Sequence, residues 1–515
     1  MTVFDRDAVP AARSAENRRD LSADFERATY AKITRRLIPF LFGCYILAYV
    51  DRVNVGFAKL QMQQDLGMSD TIYGIGAGAF FLGYFIFEVP ANMMLQRLGA
   101  RLWLGPIVIL WGIVSACTIF VKGATSFYVL RFLLGVVESG YFPGVILYLT
   151  FWYTQKHRAR MVAILVSANP LSGVIAGPIS GAILAHMSGA AGLRAWQWLF
   201  LIEGIPSALA GIVTLLYLVD NPVKARWLRA EERELLLRRL QEEEDAKKRE
   251  GESRHRFIDA FKSGKVWLLC LPYFGFQMGN YGLWFWLPQT LKDTLTKDPW
   301  SIGLLSAIPW GAAALSMVLY AHHSDVTGER RWHVSLGAGL AAAAFAVGGL
   351  GGISGGMGLA MVALAAVGIM CGQAVFWSLP TGILSGSAAA AGIAWINSVG
   401  GLAGNISPAA IGYIRHDRKH EVGAVHAFGL MPDGVAGGSL RETAAVRDGE
   451  FIRTVLLLTT QTWRRRFDSR AVAPVIPEKG REVGSEAMSL SLEGRNALVP
   501  RGLLSWPRKP PMNNR

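Results

Sequence analysis

FYVLRFLLGVVESGYFPGVILYL, residues 127–149, is apolar enough to cross a membrane, yet it carries Arg131 and Glu138. A charged side chain at the centre of a bilayer costs about 2.5–3.5 kcal/mol on insertion scales, so such groups are rare and face a protein-lined, watered cavity. Leu37–Val55, a stretch of the same kind, contains Asp51 and Arg52. Two acids and two guanidinium groups on two spans are the parts needed to bind an anion and to carry protons. The expectation is that all four side chains share one cavity.

Outward from these stretches the chain keeps the same character. Of its 515 residues 52% are hydrophobic and only 17% charged. The apolar residues form long blocks, which mark helices apolar on all sides rather than along one stripe. A span needs roughly 20 such residues. About eleven windows qualify: Leu37–Val55, Ile72–Val89, Leu102–Val121, Phe127–Leu149, Met161–Ala185, Trp196–Leu218, Val266–Leu287, Ile302–Tyr320, Val334–Ile353, Leu359–Leu379 and Gly386–Ile414. The fold class is therefore all-α and polytopic, a multi-pass membrane protein. The first window follows a polar arm, lacks a small-residue cleavage site and is followed by further spans, so it does not read as a cleaved signal peptide.

The arm, residues 1–36, holds eight Lys and Arg. Positive loops stay on the cytoplasmic side, which puts the N-terminus there. Arg97 and Arg101, then Lys156, Arg158 and Arg160, then the 222–265 loop, then Arg330 and Arg331 all fall on that same side. The net charge of +14 thus reads as orientation in an inner (plasma) membrane, not as nucleic-acid binding. The four cysteines, Cys44, Cys117, Cys270 and Cys371, sit singly in apolar windows and suggest neither a disulfide framework nor a metal site. No phosphate-binding loop or nucleotide fingerprint is present, so no cofactor is expected.

The windows divide into halves. Residues 37–220 hold six spans, 221–265 form a charged linker opened by Asn221-Pro222, and 266–414 hold about five more. Gln96-Arg97-Leu98-Gly99-Ala100-Arg101 and Asp325-Val326-Thr327-Gly328-Glu329-Arg330 repeat a Gly–Arg spacing at equivalent places in the two halves. Duplicated halves with a site near the midplane are a transporter design.

These loops resemble the Gly-x-x-x-Asp-x-x-Gly-x-Arg signature of the major facilitator superfamily. The copy from Asp325 to Arg330 matches its core; the first has Asn92 and Gln96 where glycine and an acid are usual. Tyr49-Val50-Asp51-Arg52-Val53-Asn54, the segment Arg131–Gly144, Tyr281-Gly282-Leu283-Trp284-Phe285-Trp286-Leu287-Pro288 and Gly392-Ile393-Ala394-Trp395-Ile396-Asn397 resemble its anion:cation symporter family. The likeness runs from about Lys32 to Ile414. It implies two six-helix halves, proton coupling through Asp51 and Glu138, anion handling by Arg52 and Arg131, and loop gating through Arg97, Gly99, Arg101, Asp325, Gly328 and Arg330.

Each candidate also has a structural reading. Arg131 offers a permanently charged fork for carboxylate oxygens, or a backbone-bonded arginine near the start of its span. Glu138 lies about two helical turns on, on the same face, as a proton carrier or a neutral link between helices. Asp51 and Arg52 point about 100° apart and could equally be interfacial anchors. Tyr49 and Tyr84 are hydroxyl donors or interface anchors. Gln277, Asn280, Tyr281, Trp377, Ser378 and Asn397 are polar contacts from the second half, for a ligand or for another helix. Asn169-Pro170 is expected to break the fifth span.

After Ile414 a polar tail, residues 415–515, begins with His416-Asp417-Arg418-Lys419-His420. It has no adequate twelfth span, and its excess of Lys and Arg runs against the orientation of the other loops. A reading-frame shift near Arg415 accounts for this; a genuine polar tail is the alternative.

The sequence therefore points to a secondary active transporter that takes up a small organic anion, a sugar acid or a dicarboxylate or aromatic carboxylate, by proton symport with alternating access. An exchanger or exporter on the same scaffold and a non-transporting membrane sensor are the rivals. No nucleophile–base or metal constellation suggests an enzyme. The partners are the anion, protons and lipid; the oligomeric state is not legible.

Overall fold

The computed structural model describes residues 8–249, 263–349, 354–383 and 386–427. They are almost entirely helical, with no strand among them. The first half comprises α1 (Ala8–Asp65), α2 (Asp70–Leu98), α3 (Ala100–Ala116), α4 (Ala124–Glu138), α5 (Tyr141–Thr150), α6 (Gln155–Val166), α7 (Ala168–His186) and α8 (Ala195–Tyr217). The linker holds α9 (Ala230–Arg249). The second half comprises α10 (Gly264–Thr294), α11 (Pro299–Thr327), α12 (Arg331–Gly348), α13 (Gly355–Phe376), α14 (Ser378–Ile383) and α15 (Gly386–Ala427).

Eight helical segments among the described residues are long and apolar enough to cross a membrane. The windows at 266–287 and 386–414 are helical too, as is the described part of the 334–353 window up to Gly348. They are less hydrophobic because α10 carries Gln277, Asn280 and Gln289, α12 begins with Arg331 and His333, and α15 is rich in Gly, Ser and Asn. Side chains such as Leu110, Leu209, Leu216, Leu315 and Val318 are exposed on the outside of the bundle. That is the surface expected of a protein solvated by lipid rather than water.

Three spans are broken rods. The fourth is α4 and α5, parted at Ser139–Gly140 ahead of Pro143, and the tenth is α13 and α14, parted at Trp377 ahead of Pro380. The fifth is parted at Ser167, three residues before Pro170, as its Asn169-Pro170 pair suggested. Proline removes an N–H and crowds the preceding turn, which frees carbonyls and redirects the chain.

Glycine sets how closely the site helices approach. A Cβ at Gly135 of α4 would stand 1.9 Å from the Phe80 carbonyl oxygen of α2, so only glycine fits there. Gly135 lies between Arg131 and Glu138, and the contact carries both against Phe80 and Tyr84. Where the halves meet, α7 crosses α11 with Gly177 and Gly303 in backbone contact. These small-residue crossings replace a hydrophobic driving force that lipid cannot supply.

The halves are tied together at the bundle end where α1 stops. There Lys59 bonds Asp70 at 2.8 Å and Gln289 at 3.2 Å, and both charged groups are buried. The Tyr73 hydroxyl donates to the Phe285 carbonyl at 3.0 Å. Arg415 pairs with Asp293 and lies 3.9 Å from Asp70. Helix α15 passes through Arg415 without interruption and reaches Ala427. The rest of the polar tail, from 428 to 515, lies outside the described residues.

Candidate functional site

Arg52 of α1 and Glu138 of α4 form a salt bridge in the middle of the first half, with the Glu138 side chain 2% exposed. The Arg52 guanidinium also lies over the rings of Tyr49 at 4.9 Å, Phe80 at 5.1 Å and Tyr84 at 5.8 Å. Three aromatic faces and a carboxylate fix this cation in place.

Arg131 has no such acid. It is 1% exposed, and its nearest polar contact is Nη2 to the Arg52 carbonyl at 3.5 Å. Its Nε and Nη1 have no hydrogen-bond partner. Phe80 and Phe285 lie under it at 5.2 and 6.0 Å. Two guanidinium groups thus face one carboxylate, which leaves a buried positive charge. Arg52 Nε, Asn169 Oδ1 and Trp284 Nε1 are likewise buried and without partners. Buried polar groups are normally bonded, which sets these donors and acceptors apart from the rest of the interior.

The second half brings a polar chain to the same region. The Tyr281 ring packs tilted against Phe81, with centroids 4.3 Å apart. Gln277 donates to the Tyr281 hydroxyl at 3.3 Å and accepts from Gln373 at 2.9 Å. The Tyr273 hydroxyl donates to Asn397 at 3.3 Å and its ring packs 4.8 Å from Trp377. Tyr49 accepts from Asn169 at 3.2 Å, which connects the broken fifth span to the site. Ser378 bonds the Val375 carbonyl of its own rod at 2.7 Å, and Asn280 is buried with one oxygen unpartnered.

Asp51 stands apart, contrary to the expectation of one shared cavity. It is turned into the interior of the first half, where Trp111 donates to it at 3.1 Å, Ser115 at 2.8 Å, and Ser207 by a short bond. The helical offset from Arg52 is the physical reason: adjacent residues point about 100° apart.

The loop residues separate as well. Asp325 and Arg330 pair at 2.7 Å, Arg330 also donates to Ser324 at 3.0 Å, and Gly328 closes α11 in the left-handed region at φ +68°. In the first loop Gly99 turns at φ +82° and Arg97 is exposed. Arg101 donates through Nε to the Leu215 carbonyl at 2.6 Å, and its backbone N–H reaches Asp220 at 3.2 Å. Asp220, from beyond α8, supplies the acid that Gln96 does not.

Sequence reasoning passed over several buried polar groups. Glu203, 4% exposed, is the one acid in the Trp196–Leu218 window, and the criterion that singled out Glu138 applies to it equally. Asn54 and the Lys59–Asp70 pair lie on or beside a helix that runs on to Asp65, past the Val55 edge of the apolar window.

Broken rods and two helical halves are the architecture of polytopic membrane transporters. Residues 41–408 match the Major Facilitator Superfamily, and the chain belongs to it. It is 47% identical over 395 residues to a protein of Agrobacterium vitis named provisionally as a tartrate transporter, covering 77% of this chain and 90% of that protein. It is 46% identical over 388 residues to the metabolite transport protein NicT of Pseudomonas putida, also provisionally named, covering 75% and 88%. In fold it is similar to a bacterial homologue of the human lysosomal transporter Spinster, crystallised inward-facing and occupied: TM-score 0.62 at 19% identity, over 82% of this chain and 93% of that one.

Proposed function

We propose that the protein takes up a small organic anion with protons across a bacterial-type inner membrane, its N-terminus in the cytoplasm. The observation that carries this reading is Arg131: a guanidinium sealed in a membrane interior, with two nitrogens unbonded and no acid of its own. A carboxylate is the guest that best matches its forked donors. Arg52 and the hydroxyls of Tyr49, Tyr84 and Tyr281 stand ready for a second carboxylate or for hydroxyl groups, and Trp284, Gln277, Trp377, Ser378 and Asn397 extend the polar and aromatic lining. The name of the Agrobacterium vitis relative supports a hydroxylated dicarboxylate such as tartrate.

Glu138 is the coupling group of this scheme. With a proton on Glu138, Arg52 is released to receive the anion; when the proton leaves, Glu138 reclaims Arg52 and the anion is expelled. Asp51 is a second proton site, acting through α1. The ties at the Lys59–Asp70 end keep the halves closed on one side, the Asp325–Arg330 and Arg101–Asp220 loops act at the other, and rocking between them alternates access. The test is a thermal-shift screen of organic acids followed by labelled uptake into proteoliposomes under an inward proton gradient. A dicarboxylate that raises the melting temperature and accumulates only with the gradient supports the proposal; a ligand accumulated without any gradient refutes symport.

A further inference from the structure

The interior of the first half holds two acids that no basic residue balances. Asp51 and Glu203 are 1% and 4% exposed, and among the described residues neither forms an ion pair. Their bonding is unequal. Both oxygens of Asp51 are occupied by the Trp111, Ser115 and Ser207 donors. Glu203 receives one bond, from Ser180 at 2.8 Å to Oε1, while Oε2 has no partner. Bonds from Trp196 to Asp65, Ser207 to Asp51 and Tyr217 to the Arg36 carbonyl run α8 antiparallel along α1. One turn beyond the Ser207–Asp51 bond, Glu203 of α8 therefore meets Asn54 of α1, which is fully buried with neither Oδ1 nor Nδ2 hydrogen-bonded. Three polar atoms without hydrogen-bond partners therefore lie along one stretch of the buried α1–α8 contact.

We propose that Glu203 and Asn54, with Ser180 and Asp51 behind them, form a site for one monovalent cation, separate from the Arg52–Glu138 pair. The groups facing it are Asp51 and Asn54 from α1, Ser180 from α7, and Trp111 and Ser115 from α3 and Ser207 from α8 by way of Asp51; Asp51 alone among them is titratable. Two negative carboxylates with no cation to balance them are costly in a lipid-embedded bundle, and one positive charge relieves them. A proton on Glu203 Oε2 donates to Asn54 Oδ1. A sodium ion takes the same two oxygens and the Ser180 hydroxyl, a hard cation on oxygen ligands. Asp51 adjoins Arg52 on α1, so the charge of this site acts one residue away from the anion pair. The inference stands apart from the anion proposal, because cation binding is measured with no organic acid present.

Full-length protein in detergent tests it in two arms. In the first, melting is followed in Na+ against choline at equal ionic strength, since a ligand that binds the native state raises the midpoint in a saturable way. In the second, infrared spectra across a pH series record the carbonyl stretch of a protonated carboxylic acid. A Na+-specific rise in wild type that Glu203→Gln removes identifies sodium. An acid carbonyl band that Glu203→Gln removes and Asp51→Asn leaves identifies a proton. Asn54→Leu, which keeps the carboxyl, is expected to weaken the Na+ effect or to shift that band. Absence of both signals in wild type overturns the proposal, and so does their persistence unchanged in Glu203→Gln or, should that variant not fold, in Asn54→Leu.

Discussion

Glu138 is spoken for and Arg131 is not: the acid is bridged to Arg52 across the α1–α4 contact, while the arginine two turns earlier on the same helix has only aromatic rings and one long carbonyl contact beside it. This asymmetry ties the chemistry of anion capture to that of proton release. A proton that neutralises Glu138 frees a second guanidinium beside the first.

Glu138→Gln therefore removes the group that competes for Arg52 without removing volume. Acid-driven uptake in proteoliposomes is expected to fall at least tenfold, a loss of about 1.4 kcal/mol of coupling, while substrate counterflow survives. Equal losses in both assays would contradict the coupling role.

Gly135→Ala drives a methyl into the Phe80 backbone at the point where α4 meets α2. Overpacking of this kind costs about 1–3 kcal/mol. A lower melting temperature and weakened transport are expected together, because the same contact positions Arg131 and Glu138. Wild-type melting and uptake would show that the helices are not in this register.

Lys59 and Asp70 form a buried pair at the join between halves. Asp70→Asn leaves Lys59 buried without its acid, at a cost of about 3–5 kcal/mol, whereas Lys59→Met with Asp70→Leu is expected to cost less than that single change. Thermal unfolding of the three proteins measures the difference. A double variant less stable than Asp70→Asn contradicts the assignment.

Glu232 of the linker helix bonds Lys32 at 2.6 Å and accepts the Arg229 backbone N–H at 2.8 Å. Burial works to raise its proton affinity, but these bonds and the charges of Lys32 and Arg229 outweigh it and hold the carboxyl below the usual glutamate range. Its stabilisation is thus present above the unfolded value, about pH 4.3, and is lost as the pH falls through the lower folded value. The gap in melting temperature between wild type and Glu232→Gln is expected to be constant above pH 5 and to close below pH 4. A gap that widens in acid refutes this.

Much of the fold was legible because a membrane span is written in composition: among the described residues every apolar window lies on a helix or a broken rod, and Asn169-Pro170 marked one of the breaks, while those ahead of Pro143 and Pro380 went unforeseen. The site was legible where charge sat inside those windows, as with Arg52, Arg131 and Glu138. What stayed hidden depends on orientation or on distant partners. Asp51 and Arg52 are neighbours in the chain but face different interiors. Asp220 completes the first loop from across the half. Lys59 and Asp70 lie beyond the apolar blocks that drew attention, so their pairing emerges only when α1 and α2 are placed together.

The central claim is that buried Arg131 anchors the cargo's carboxylate. The direct measurement is uptake of the best organic acid from the screen by wild type, Arg131→Lys and Arg131→Ala, each with its membrane insertion verified. Loss of the anchor is expected to cost roughly 2–5 kcal/mol of binding, a thirtyfold or greater fall in affinity; Arg131→Ala should be inactive, and Arg131→Lys should recover part of the binding but not the wild-type affinity. Near-normal uptake by correctly inserted Arg131→Ala would contradict the account.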